Sequence, residues 1–376
     1  MAVGFPVKDD YVTGDVLTAA NMNDLSGTLN TLSGAASTVN KNYLINGGFA
    51  VAQRGTSFTS TGSANNDDAY TLDRWYILSD GNDVIDVTQE TTTVPTNGEF
   101  AIALDVETTN KKFGIATIIE NKDLIGLVGN TVTFSFKAKV SDTTKLDNVK
   151  AAIVAWSGTA DTVTSDIISA WGAEGTNPTL IANATYENTP ANLNLTTLYA
   201  TYSVSAAVDT ASTQNLILFI WSDVTDTTAG DFLYIAESKL ELGSTASAFE
   251  YAGGTIQGEL ATCQRYYTRY TNAVTNGQIT GTVGYAVNTT IVDYYVALPV
   301  QMRVQPTTLD FSNIQVYVIA PATNYTTGTW TTAVSTYDPK IAQIRYTHGS
   351  GVFTTGQIAS INSQTTSGYV GLSAEL

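Results

Sequence analysis

The chain has 376 residues, 43% of them hydrophobic and only 14% charged. That is enough apolar material for two domains of the usual ~100–200 residues, but the charged share falls well below the ~25% of an ordinary globular protein, so Thr, Ser, Asn and Gly must cover the surface. With 34 acidic and 17 basic residues the net charge is −17; this repels phosphate backbones and anionic membrane surfaces, and it argues against nucleic-acid binding.

Residues 1–40 read differently from the rest. GFPVKDDYVTGD is an extended, turn-rich arm. The stretch that follows carries apolar residues at Met22, Leu25, Leu29, Leu32, Ala36 and Val39, the alternating 3–4 spacing of a helical seam. Thr18 suits the cap of such a helix. Gly27 and Gly34 weaken it by ~1 kcal/mol each, so the helix needs a partner. That partner is either two further copies of the same helix, which would make the segment a trimerisation and attachment element, or the chain's own body.

From residue 42 the period changes to that of short strands. RWYILS, VIDVTQE, EFAIALDVE, FGIATIIE, TVTFSFKAKV, VKAAIVAWS, TLYATYSVSAAV, NLILFIWSDV and DFLYIAESKLEL are separated by turn signals such as SDGND and SDTTK. In TVTFSFKAKV the residues Val132, Phe134, Phe136, Ala138 and Val140 share one face, whereas NLILFIWSD is apolar throughout and suits a central strand covered on both sides. The region predicts a jelly-roll-like antiparallel β-sandwich over 41–252. AGGTIQGELATCQRYYTRY reads as a link, with Gly253 and Gly254 as a hinge and the remainder as a helical turn or a first strand. A smaller β block over 253–376 follows, with strands in GQITGTVGYAV, TIVDYYVALPVQMRV, IQVYVIA, WTTAVST, KIAQIRYTHG and YVGLSAEL. Pro299 and Pro306 mark an irregular edge within it.

Catalytic signatures are sparse. The one histidine, His348, lies in RYTHGSG and reads as a turn residue; a His-based metal centre needs two or three. Cys263 is the one cysteine, so no intrachain disulfide forms, and its apolar setting predicts a buried thiol. Asp67, Asp68, Asp73, Asp161, Asp166, Asp223, Asp226 and Asp231 supply carboxylates for an acid pair or a structural Ca²⁺, but Asp is also an ordinary turn residue. No phosphate loop is present. The expectation is a non-enzyme with no cofactor and no metal site. There is no basic start followed by an apolar run at the N-terminus and no stretch of about 18 apolar residues, so neither a leader nor a membrane span is expected. Trp75 and Trp221 read as core. Trp171 in SAWGAEGTNPT and Tyr325 and Trp330 in NYTTGTWTT lie in polar surroundings, which suits either stacking on a sugar or burial in a subunit interface.

The string Asn42-Tyr-Leu-Ile-Asn46-Gly47-Gly48-Phe49, then Gln53-Arg54-Gly55-Thr56-Ser57, then Tyr70 and Asp73-Arg74-Trp75, resembles the start of a β-sandwich module of bacteriophage appendage proteins, tail-fibre-like and head-fibre-like. Ala52 stands where an aromatic is usual. Lys239-Leu-Glu-Leu-Gly243-Ser244, Phe249-Glu250-Tyr251 and Cys263-Gln-Arg-Tyr-Tyr267 are similar to the closing segments of that module. Thr13-Gly14-Asp15-Val16-Leu17-Thr18-Ala19-Ala20 resembles an attachment end. The residues themselves suit a folding signature: Gly47 and Gly48 admit a close backbone approach, Arg54 offers a planar fork to carbonyls, Asp73 and Arg74 lead into a strand, and Trp75 fills a core. The resemblance implies a homotrimeric structural protein on the virion surface that contacts other virion proteins and adheres to host glycans. A capsid decoration protein is the alternative, and a glycan depolymerase the more distant one.

Overall fold

The computed structural model describes residues 41–59, 61, 66–210, 212–306, 308–333 and 340–376. The seam positions Met22, Leu25, Leu29, Leu32 and Val39 lie outside these residues. The strands of the first block are β1 (Ser57–Phe58), β2 (Tyr76–Ser79), β3 (Ile85–Glu90), β4 (Ala101–Val106), β5 (Phe113–Ile119), β6 (Thr131–Val140), β7 (Val149–Trp156), β8 (Ile168–Ala170), β9 (Thr179–Leu180), β10 (Ala184–Tyr186), β11 (Ala200–Ala207), β12 (Asn215–Ser222) and β13 (Phe232–Leu242). β8 and β9 pair only with each other; the other eleven form a six-stranded sheet, ordered β1-β3-β4-β13-β6-β11, and a five-stranded sheet, ordered β10-β7-β12-β5-β2. The two pack face to face as an antiparallel sandwich, as the alternation predicts.

Alternation in β6 places Val132, Phe134, Phe136, Ala138 and Val140 in the core between the sheets. β12 is apolar throughout because it is covered twice. Leu216, Leu218 and Ile220 enter the inter-sheet core. Ile217, Phe219 and Trp221 face outward into a second cluster, roofed by Val163, Ile167 and Trp171 from the 157–183 excursion. That excursion is clamped by a buried charge cluster. Lys112 pairs with Asp223 and donates to the Ala173 carbonyl at 2.7 Å. Lys150 reaches the other Asp223 oxygen at 2.5 Å.

Of the two link glycines, Gly254 lies at φ 72° with open space around it, whereas Gly253 is packed. Gly253 is pressed against the first turn of α1 (Ile256–Gln264), where a Cβ would lie 2.2 Å from the Glu259 nitrogen. Its N–H donates to the Glu259 carboxylate at 2.7 Å. Thr255 caps this helix through Gly258 N–H, and Cys263 is buried in it.

The second block holds β14 (Tyr267–Asn272), β15 (Gln278–Ala286), β16 (Ile291–Ala297), β17 (Thr308–Ser312), β18 (Ile314–Val318), β19 (Thr323–Tyr325), β20 (Thr329–Ala333), β21 (Ile341–Thr347), β22 (Ile358–Ser363) and β23 (Gly368–Ser373). A three-stranded sheet, β14-β23-β17, joins a seven-stranded one, β19-β18-β22-β15-β16-β21-β20, around one core. The edge between Pro299 and Pro306 is irregular, yet Met302 plugs that core.

The signature residues join the blocks. Asn46 is fully buried: its side chain donates to the Val51 and Asp73 carbonyls at 2.9 and 2.8 Å and accepts from Val51 N–H at 3.0 Å. Trp75 donates its indole N–H to the Asn46 carbonyl and packs on Phe49. Asp73 accepts from the Gln53 backbone and side chain, both at 2.6 Å. Arg74, 2% exposed, pairs with Glu375, donates to the Ile118 carbonyl and lies 3.7 Å over the Tyr266 ring. Arg54 lies 3.7 Å over Tyr267 and reaches the other Glu375 oxygen at 3.2 Å. Arg303 holds the tail by the Ala374 and Glu375 carbonyls. Gly55 sits at φ 143°, the strained region that favours glycine.

Because Arg74 is buried, removing its partner strands a charge. Glu375→Ala is expected to cost about 3 kcal/mol or more, the range for breaking a buried pair from one side. Urea unfolding of both proteins measures it; a loss under about 1 kcal/mol would place the junction's strength elsewhere.

Candidate functional site

Of the candidate ligand residues read from sequence, Tyr325 and Trp330 share the core of the second block while Trp171 lies in the first, and neither indole is open. Trp171 is 8% exposed and meets Phe219 edge-on at 6.1 Å. Trp330, also 8% exposed, packs on Tyr346 and Tyr294. Tyr325 is half-buried against Phe353 and His348. Both indoles serve as roofs of apolar clusters, so neither offers a sugar a free face in this chain. Polar neighbours in sequence misled here, because the loops that carry these rings fold back over the sheets. A hollow of about 370 Å³ near Tyr325 is lined by Thr327, Gly328, Thr329, Thr347, His348 and Gly349, without a Tyr, Phe or Trp ring. Several turn carboxylates are spent on structure: Asp67 accepts from Ser79 N–H, Asp161 from Asn121 and Asn215, Asp231 from Thr228, and Asp226 pairs with Lys145. Asp68 is not: its Oδ1 is buried without a hydrogen-bond partner, and burial, with Asp67 and Asp166 nearby, raises its pKa to about 7. Among the described residues no group of three or more His, Cys, Asp or Glu is placed to hold a metal.

A cleft that mixes rings and charged groups lies on the outer side of the six-stranded sheet. It measures about 380 Å³ and is lined by Gly48, Asn97, Gly98, Glu99, Phe100, Glu237, Phe249, Tyr251 and Ile256. A smaller hollow of about 160 Å³ continues from Glu237 and Phe249 to Lys137, Thr201 and Ser247. The anchors build it. A Cβ on Gly47 would lie 1.9 Å from the Ser238 carbonyl oxygen, and one on Gly48 would meet the rings of Tyr251 and Phe249 at 2.8 and 3.0 Å. The glycine pair therefore lets β13 and the closing Phe-Glu-Tyr lie directly on the opening turn. Phe249 and Tyr251 pack edge to face at 5.3 Å.

Glu237 is put into the cleft by a bulge. The register of β13 on β6 shifts between Ala236 and Lys239, and Glu237 takes φ 48°. A non-glycine residue there costs roughly 1–2 kcal/mol, and such strain at a bulge re-aims a side chain. The carboxylate it presents meets Lys137 at 2.8 Å. Burial first, then the Glu99, Glu259 and Glu237 carboxylates, push the Tyr251 phenol above its ordinary range. The cleft thus combines ring faces with an Asn, two carboxylates and an ammonium.

An aromatic strip lies on the same sheet. Phe232 and Tyr234 stack at 5.4 Å, and Lys139 stands over Tyr234 and Tyr199. Asp105 is the cross-strand neighbour of both Phe232 and Asp86, and its Oδ1 is buried without a hydrogen-bond partner. Burial, with Glu107 and Asp86 nearby, raises its pKa to about 6.

No family model matches this chain, and no curated protein matches it. Among solved structures it is similar to the enzymatically active domain of tailspike protein 4 of bacteriophage CBA120, at 14% identity over 50% of this chain and 22% of that one, TM-score 0.30. It is also similar to TmCBM61 in complex with β-1,4-galactotriose, at 13% identity over 54% of this chain and 100% of the module, TM-score 0.28. A third is the CBM22-1 xylan-binding domain from Paenibacillus barcinonensis, at 13% identity over 50% of this chain and 94% of the module, TM-score 0.27.

Asp105 predicts a pH dependence. Its folded pKa of about 6 exceeds the unfolded value of about 3.9, so its contribution is fully present below pH ~4 and is lost as pH rises through about 6. Asp105→Asn should match wild type at pH 4 and melt higher at pH 8, by about 1 kcal/mol after allowance for solvent screening. Parallel melting curves at the two pH values would refute this if the variant gained nothing at pH 8.

Proposed function

We propose that this chain is an adhesion protein of a bacteriophage particle, anchored by its first forty residues and binding host-surface glycans in the cleft around Glu237 and Phe249. The observation that carries the binding half is the cleft's make-up. Sugars offer apolar ring faces and hydroxyl edges together, and the cleft offers aromatic rings beside Asn97, Glu99, Glu237 and Lys137. The ordered strings of opening and closing residues support the particle half. Adhesion, not turnover, is the function proposed; several copies on one particle would raise a weak affinity by avidity.

One observation favours a second reading. Glu99 and Glu237 line the same cleft, and paired carboxylates can cleave a glycosidic bond. Against it, Glu237 is engaged by Lys137. Reducing ends released from a bound host polysaccharide, and lost in Glu99→Gln, would establish that reading in place of simple adhesion.

Two variants separate binding from folding. Phe249→Ala is expected to weaken glycan binding at least tenfold, in line with the ~1.4 kcal/mol or more that a stacked ring supplies. Glu237→Gly should weaken it as well while leaving stability level or higher, because it relieves the left-handed backbone. Binding of the full chain to a panel of host surface polysaccharides, read by calorimetry alongside melting, is the measurement. Unchanged affinity in both variants would remove the cleft as the site.

A further inference from the structure

The outer face of the seven-stranded sheet differs in kind from the rest of this acidic chain. Its strands read QITGTVGYA, IVDYYVA, IQVYV, TNY, TWTTA, IAQIRYT and IASINS, in which the charged residues are Asp293 and Arg345 alone. These two face each other across β16 and β21. Arg345 grips Asp293 through two hydrogen bonds of 2.7 Å, and Gln343 adds a third at 2.8 Å. The face is therefore neutral, in a chain of net charge −17.

It is also apolar where it is open. Val292, Tyr294, Val296, Ile344 and Tyr346 point into the core, which leaves alternate positions outward. Val283, Tyr285 and Ile358 on β15 and β22, and Val287 and Ile319 just beyond strand ends, are between 40% and 52% exposed. Tyr285 and Tyr295 stack at 6.4 Å on the same side. Five of the eleven large exposed apolar residues of the described chain thus gather here, more than scattered surface hydrophobes explain.

We propose that this face is a contact between copies of this chain. The charge argument selects the partner. Two molecules this acidic repel over most of their surface, and they approach without that penalty where the surface carries no net charge. The size fits as well: seven strands ~4.8 Å apart and about 20 Å long present roughly 700 Å², close to the roughly 800 Å² per partner of a stable interface. The proposal rests on the reading of the chain as a self-associating appendage, and it adds a second contact, remote in sequence from the N-terminal seam.

Hydroxyl-radical footprinting of the purified full-length chain tests it, together with its sedimentation mass. Tyr285, Val283 and Ile358 are expected to be oxidised about tenfold more slowly, after correction for residue type, than the exposed Ile125 and Leu198, as burial in an interface core implies. Ile358→Glu should restore the reactivity of Tyr285 and Val283 while circular dichroism shows the fold unchanged. Oxidation of the face at the rate of the controls in an oligomer overturns this proposal and leaves N-terminal association standing. A monomer overturns both. Protection that appears only when a glycan is added also overturns it and makes the face a ligand surface.

Discussion

The buried ion pair of Arg74 with Glu375 is the contact on which the junction of the two β blocks depends. A guanidinium taken out of water must recover its hydration from the protein. Arg74 does so with a carboxylate, the Ile118 carbonyl and the face of Tyr266. Each partner comes from a different part of the chain: β5, the segment after α1, and the penultimate residue. Only one arrangement of both blocks satisfies all three, so the junction specifies a relative position as well as a strength. Glu120 extends the same logic: burial alone would raise its carboxyl, but hydrogen bonds from Arg265 and Tyr266 more than offset this and hold it below its ordinary value.

The same packing explains the cleft. Gly47 and Gly48 bring the opening turn against Ser238 and the Phe249–Tyr251 pair, and the bulge at Glu237 is held in place by the ladders on either side. A strained residue persists when its surroundings over-determine it. Here the surroundings are the module's own opening and closing strings, so the signature that closes the sandwich also shapes the cleft on its outer side.

Two surfaces of opposite character follow. The outer side of the six-stranded sheet mixes rings with charges, and its carboxylates are partly desolvated, as the raised Asp105 shows. The outer side of the seven-stranded sheet is neutral and largely apolar, with a Tyr285–Tyr295 stack and with its one ion pair closed on itself. Charged groups that are open to a cleft invite a ligand with hydroxyls, whereas a surface without unpaired charge is suited to burial against another protein surface.

Much of this was legible in the sequence. Period-2 alternation in TVTFSFKAKV and the unbroken apolar run of NLILFIWSD depend on local geometry alone, and both strands lie where those patterns put them, with Trp75 and Trp221 in the core. Short strands without a marked pattern, such as β8, β9, β17 and β22, were not legible, because long-range pairing and not propensity makes them strands. Trp171 and Trp330 looked exposed because burial is decided by which loop folds over which sheet. Glu237, Phe249 and Gly48 are about two hundred residues apart in part, and no spacing rule links them; the nearest signal was the pairing of opening and closing strings. By itself, then, the sequence determined strand content, the alternation of faces and the excess of negative charge, all of which are properties of neighbours. Tertiary structure alone decided which rings are open, which carboxylates are spent and where the cleft lies, since each of these depends on contacts between residues that the chain brings together only on folding.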